Sequence, residues 1–109
     1  MVHVEIIREA ERINGFSCRG HAGFADKGKD IVCAAVSILV INTVNSIEAL
    51  LPEEGKKMEV VSEDEKGIIE CRFLSEPSKD AELLLNSMYL GLKTIEKEYG
   101  GKFLKITEI

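Results

Sequence analysis

An apolar run most restricts what this chain can become. It opens Ile31-Val32-Cys33-Ala34-Ala35-Val36-Ser37 and is stopped at Pro52. Proline and the residue before it resist helical continuation, so the run predicts a helix over residues 31–51. Its first half is apolar almost all round, a pattern that places a helix at the centre of a core. A chain of 109 residues has room for one such core and hence one domain, residues 1–109. The apolar run from Ile31 to Ile41 is interrupted by Ser37 and is too short to span a bilayer, which takes about 18 or more apolar residues. Met1 leads straight into a strand pattern, without the charged and apolar regions of a signal peptide. The expectation is a soluble cytoplasmic protein.

The remainder reads as strands and one more helix. Val2, Val4 and Ile6 alternate with His3 and Glu5, giving a first strand to about residue 12. Asn14-Gly15 is the pair a type I′ hairpin turn favours, and predicts a turn there with a second strand over residues 16–21. By the period of two, Phe16 and Cys18 face one way and Ser17, Arg19 and His21 the other. Residues 22–29 read as a loop, with Gly23 and Gly28 supplying conformational freedom. Strands over 58–62 and 68–74 make a second hairpin. Ser78 caps a second helix whose apolar face carries Ala81, Leu84, Leu85, Met88, Leu92, Ile95 and Tyr99, and Gly100-Gly101 ends it. Residues 102–109 alternate as a last strand, with the first strand as a possible neighbour. The expected fold is α+β, two helices on a mainly antiparallel sheet in the order β-β-α-β-β-α-β.

Charge and cysteine usage narrow the function. The net charge is −5, without the basic footprint that general nucleic-acid binding needs. A basic protein or peptide is the complementary partner. Three cysteines, an odd number, read as free thiols in a reducing compartment.

One of those thiols has a special setting. With Asp30 as N-cap, Cys33 falls at N3, among unpaired backbone N–H groups at the positive end of the helix. Both effects favour a thiolate, and the same N–H groups are candidate oxyanion donors. His21 precedes it by one loop, so an imidazole can fold back as base to the thiol. Ser37 lies one turn beyond Cys33 on the same face and has two readings, a bond to the reacting groups or to its own helix. Asp30 likewise is a cap or an orienting partner for His21. Each signal alone has a plainer reading, since a lone cysteine in an apolar helix usually just packs. Cys18 and Cys71 read as core, His3 as an exposed strand residue. A zinc site is disfavoured, because Cys18 and His21 point to opposite faces and no C-x2-C pair occurs.

Gly20-His21-Ala22, a short gap, and Asp30-Ile31-Val32-Cys33-Ala34-Ala35-Val36-Ser37 together resemble the ribosomal-processing cysteine protease (Prp) family. The likeness extends over the chain's length and order of elements. It implies a bacterial cysteine endopeptidase with a Cys–His dyad, Cys33 as nucleophile and His21 as base. It implies removal of a short N-terminal extension from the large-subunit ribosomal protein numbered twenty-seven, cleaving after an aromatic residue. It implies a homodimer and no metal or organic cofactor. Gly20, Asp30 and Ser37 match family positions of less certain role. Ala22, Gly23, Phe24 and Gly28 belong to the loop between the two dyad positions, expected to act as a lid that binds the peptide. Two alternatives compete: a non-enzymatic ribosome-assembly factor, and a protease of this family with another protein substrate. Neither direct nucleic-acid binding nor membrane association is expected.

Overall fold

The computed structural model describes residues 1–20, 27–63 and 67–109, and for residues 27–30 the backbone alone. The elements are β1 (Val2–Glu9), β2 (Arg12–Arg19), α1 (Lys27–Leu50), a short α2 (Pro52–Gly55), β3 (Met58–Glu63), β4 (Ile68–Phe73), α3 (Lys79–Tyr99) and β5 (Leu104–Glu108). The five strands form one sheet in the order β3-β4-β2-β1-β5. All neighbours are antiparallel except β1 and β5, which run parallel. The α+β fold and its order of strands and main helices are as the sequence predicts, with α2 as an addition. Pro52 does stop α1, but its fixed φ also suits the first turn of a new helix.

The register aligns one apolar face. Val4 lies opposite Cys18 and Ile6 opposite Phe16, while Cys18 and Phe16 lie opposite Ile69 and Cys71. All six are buried. Val32, Val36, Val40, Val44 and Ile47 of α1 join the same core, as do Ala81, Leu85, Met88 and Leu92 of α3. The segment Ile31–Leu50 is long and apolar enough to cross a membrane by length and composition. That corrects the expectation of a run too short to span, because the helix continues past Ile41 to Leu50. Val32, Val36, Val40, Val44 and Ile47 lie in the core, while Ile31, Ile38, Ile41 and Leu50 are exposed.

The first hairpin turns elsewhere than expected. Ala10 and Glu11 form its tip, both with positive φ (51° and 70°), while Asn14 and Gly15 lie inside β2. A turn at Asn14-Gly15 would take Cys18 and Phe16 away from Val4 and Ile6, so the apolar register overrides the local turn preference. Gly15 has a different task. A Cβ there would stand 2.4 Å from the Cys71 carbonyl oxygen, so β2 and β4 approach only because it is absent.

Ser78 caps α3 as expected, its hydroxyl accepting from the Ala81 N–H at 3.2 Å. A second tie was not legible. The buried Glu54 carboxylate accepts from the Ser78 backbone N–H at 2.7 Å and pairs with Lys57 at 2.7 Å, joining α2 to the start of α3. The Lys57 and Ser78 bonds hold its pKa below the ordinary 4.5. The resulting stability is therefore present above pH 4.5 and lost as pH falls through the lower folded value. Glu54→Gln should cost about 1–2 kcal/mol at pH 7. In urea titrations from pH 7 to 3 the variant should also lose less stability on acidification than the parent. Parallel curves would show that the pair contributes nothing.

Candidate active site

The site forms at the sheet end where β2 finishes and β4 begins. Gly20 closes β2 with φ +83°, and its N–H donates to the Gly67 carbonyl at 2.9 Å. A Cβ on Gly20 would lie 2.8 Å from the Met1 carbonyl oxygen, so the chain turns there against the start of β1. Cys33 lies below this turn. It is 4% exposed, and its thiol donates to the Gly20 carbonyl oxygen at 3.6 Å. The next residue after that carbonyl is His21, which lies outside the described residues, as do Ala22, Gly23 and Phe24. The structure thus brings Cys33 to the peptide group immediately ahead of His21.

Asp30 requires a correction. Helix α1 starts at Lys27, so Asp30 lies within it rather than capping it, and Gly28 belongs to its first turn rather than to a loop. Cys33 is then the seventh helical residue, beyond the free N–H groups of the helix start. The argument from N3 geometry and local oxyanion donors falls with it. An internal glycine costs only about 1 kcal/mol, which extension of a long helix readily offsets. Ser37 is half-buried, one turn beyond Cys33 on the same flank of α1.

The other two thiols are core, as predicted. Cys18 is fully buried under the same corner, and burial, with the nearby Cys33 as a lesser cause, pushes its pKa to about 12. Cys71 contacts the Met58 sulfur at 3.6 Å and is likewise pushed to about 12 by burial and, secondarily, by Glu48. His3 is exposed on the opposite face. Among the described residues no group of three His, Cys, Asp or Glu side chains is placed to hold a metal. Gly67 lies just ahead of β4. Its role as anchor of Gly20 depends on a long-range pairing that local patterns do not encode.

A five-stranded sheet carrying two long helices, with a cysteine tucked under a glycine turn at its end, defines the class as an α+β protein with a thiol at a strand–helix junction. Comparison with known proteins narrows this to one family. Residues 1–103 match the family model for the cysteine protease Prp. The ribosomal processing cysteine protease Prp of Staphylococcus aureus is 31% identical over 100 residues, covering 91% of this chain and 92% of that one. The Bacillus subtilis protein of that name is 32% identical over 114 residues, covering 100% and 99%. Among solved structures, the S. aureus protease in complex with a substrate peptide superposes with a TM-score of 0.87 at 26% identity, over the whole of both chains. A second S. aureus structure, with a covalently linked product peptide, gives 0.82 at 27%, again over both chains in full. The chain belongs to the Prp family of ribosomal processing cysteine proteases and is itself a cysteine protease.

Proposed function

We propose that this protein is a cytoplasmic endopeptidase that trims the N-terminal extension of the large-subunit ribosomal protein numbered twenty-seven, using Cys33 as nucleophile and His21 as base. The observation that carries the reading is the placement of Cys33 at the strand–helix junction, 3.6 Å from the carbonyl that leads into His21. His21 takes the thiol proton as sulfur attacks the scissile carbonyl, then delivers it to the leaving amine, and water releases the acyl-enzyme. The covalently linked product peptide of the S. aureus relative fits such a thiol ester route. Ala22, Gly23 and Phe24 contribute to peptide binding in this scheme, and Gly20 and Ser37 support the dyad. Asp30 keeps a place beside the dyad on the strength of its motif position alone. No step calls for a metal or cofactor. The reaction is tested by incubating the protein with its host's precursor and reading the new N-terminus by mass spectrometry. An untouched precursor beside a different trimmed protein would replace the substrate and keep the class.

We also propose a homodimer. The upper faces of α1 and α3 leave Ile38 and Leu90 exposed by 71% and 67%. Between the helices runs an apolar groove of about 660 Å³ lined by Ala35, Leu39, Gly91 and Ile95. An exposed apolar area of this kind marks an interaction surface. Sedimentation should give a dimer that Ile38→Lys converts to monomer; a monomeric parent at high concentration would refute it.

A further inference from the structure

We propose that a second groove, between α1 and the edge strand β3, holds an extended stretch of the peptide substrate, with Glu48 receiving a lysine or arginine side chain. The inference rests on the peptidase reading and adds where the peptide lies and what it carries.

The groove starts from the nucleophile's own flank of the helix. Steps of three or four residues from Cys33 lead through Ser37, Ile41 and Val44 to Glu48, which places them along one side of α1. The opposite wall is β3, the outermost strand of the sheet. Its registers Ser62↔Ile69 and Val60↔Cys71 put Ser62 and Val60 on the sheet face that the helices cover elsewhere. Yet Val60 is 40% exposed and Ile41 42%, because no helix lies over this edge. The space enclosed is about 270 Å³. That is near the lower end of the roughly 300–1,000 Å³ of ligand pockets, a size for a short run of side chains rather than a protein domain.

Both ends are defined. β3 runs toward the site, so Ser62 lies nearest Gly67 and Cys33, while Met58 and Cys71 lie far from them. At the far end Gly55 of α2 packs against Glu48, where an added Cβ would stand 3.2 Å from the Glu48 Cα. Of the lining side chains only Glu48 is charged. It takes part in no ion pair among the described residues. An apolar trough ending in a lone carboxylate matches an apolar peptide segment followed by a basic residue. An edge strand also offers unpaired backbone groups on its outer side, to which an extended peptide can add.

The test uses the full chain and internally quenched peptides built on the precursor's N-terminal junction, with one lysine or one glutamate placed at each position in turn. The parent protein should favour lysine over glutamate at one position by about tenfold in kcat/KM, carried by KM, the scale of one exposed attraction gained together with one like-charge repulsion avoided. Glu48→Lys should invert the preference at that position and at no other. Val60→Asp should raise KM for every peptide with an apolar run. Leu83→Lys, on the exposed side of α3, is the control and should match the parent. An unchanged profile for Glu48→Lys overturns the proposal. So does a groove variant that alters only the sedimentation behaviour, which would assign this edge to a second copy of the chain. If the parent cuts none of the peptides, the peptidase reading fails separately. The groove is then judged by fluorescence anisotropy of the lysine and glutamate peptides on the Cys33→Ala protein, where equal affinities overturn it.

Discussion

Cys33→Ala should abolish cleavage of the precursor while leaving the protein folded, and His21→Ala should do the same. The two losses should be similar, and the double variant should be little worse than either, because nucleophile and base act as a unit. A drop of about 10³-fold or more in kcat is expected. The structural cost of Cys33→Ala is small, since only a sulfur at the edge of the core is removed and its one described hydrogen bond goes to the Gly20 carbonyl. A melting temperature within a few degrees of the parent, with no new N-terminus by mass spectrometry, would bear out the dyad. Residual cleavage by the alanine variant would sink it. Thiol labelling gives an independent readout. Cys18 and Cys71 are buried, with pKa values pushed to about 12, so brief treatment of the native protein at pH 7 should leave both unmodified. Cys33 is also buried, at 4% exposure, so its labelling follows from its role as nucleophile rather than from exposure: label should accumulate on Cys33 alone, and activity should fall in step with it.

The largest loss of stability is expected at Phe16. It lies in the central strand β2, opposite Ile6 on one side and Cys71 on the other, and is fully buried. Phe16→Ala removes a whole ring from between sheet and helices, at a cost of about 3–5 kcal/mol. Total stabilities of such domains are about 5–15 kcal/mol, so the variant should be marginal. Its melting temperature should fall by more than about 12 °C, with a matching shift of the urea midpoint. A change of less than about 1 kcal/mol would mean that the core closes over the gap, contrary to the close packing of protein interiors.

Much of this architecture is written in periodicity. The alternation of Val2, Val4 and Ile6, and of Ile69, Cys71 and Phe73, predicts the buried face of the sheet and places Cys18 and Cys71 in the core. Ser78 as N-cap and Gly100 as the end of α3 are local chemistry and hold in the structure. What escapes the sequence is what long-range pairing decides. Asn14-Gly15 looks like a turn until β4 is seen to lie against Gly15. Asp30 looks like a cap until α1 is seen to run from Lys27. Of the site, the meeting of Cys33 with Gly20 is legible, since both stand in the motif read from sequence; His21 lies outside the described residues. The anchoring of Gly20 by Gly67 is not, because it depends on β2 and β4 being neighbours.

The pairing of β1 with β5 has a consequence for how the molecule is made. Val2 meets Leu104 and Ile6 meets Glu108, so the first strand synthesised waits for the last to complete its pairing. During translation, β1 and β2 can zip together early, but one edge of β1 stays open until almost the whole chain has emerged. An open strand edge bearing Val2, Val4 and Ile6 is a template for pairing with other nascent chains. Folding yield in the cell should therefore depend on how soon β5 is released to close that edge.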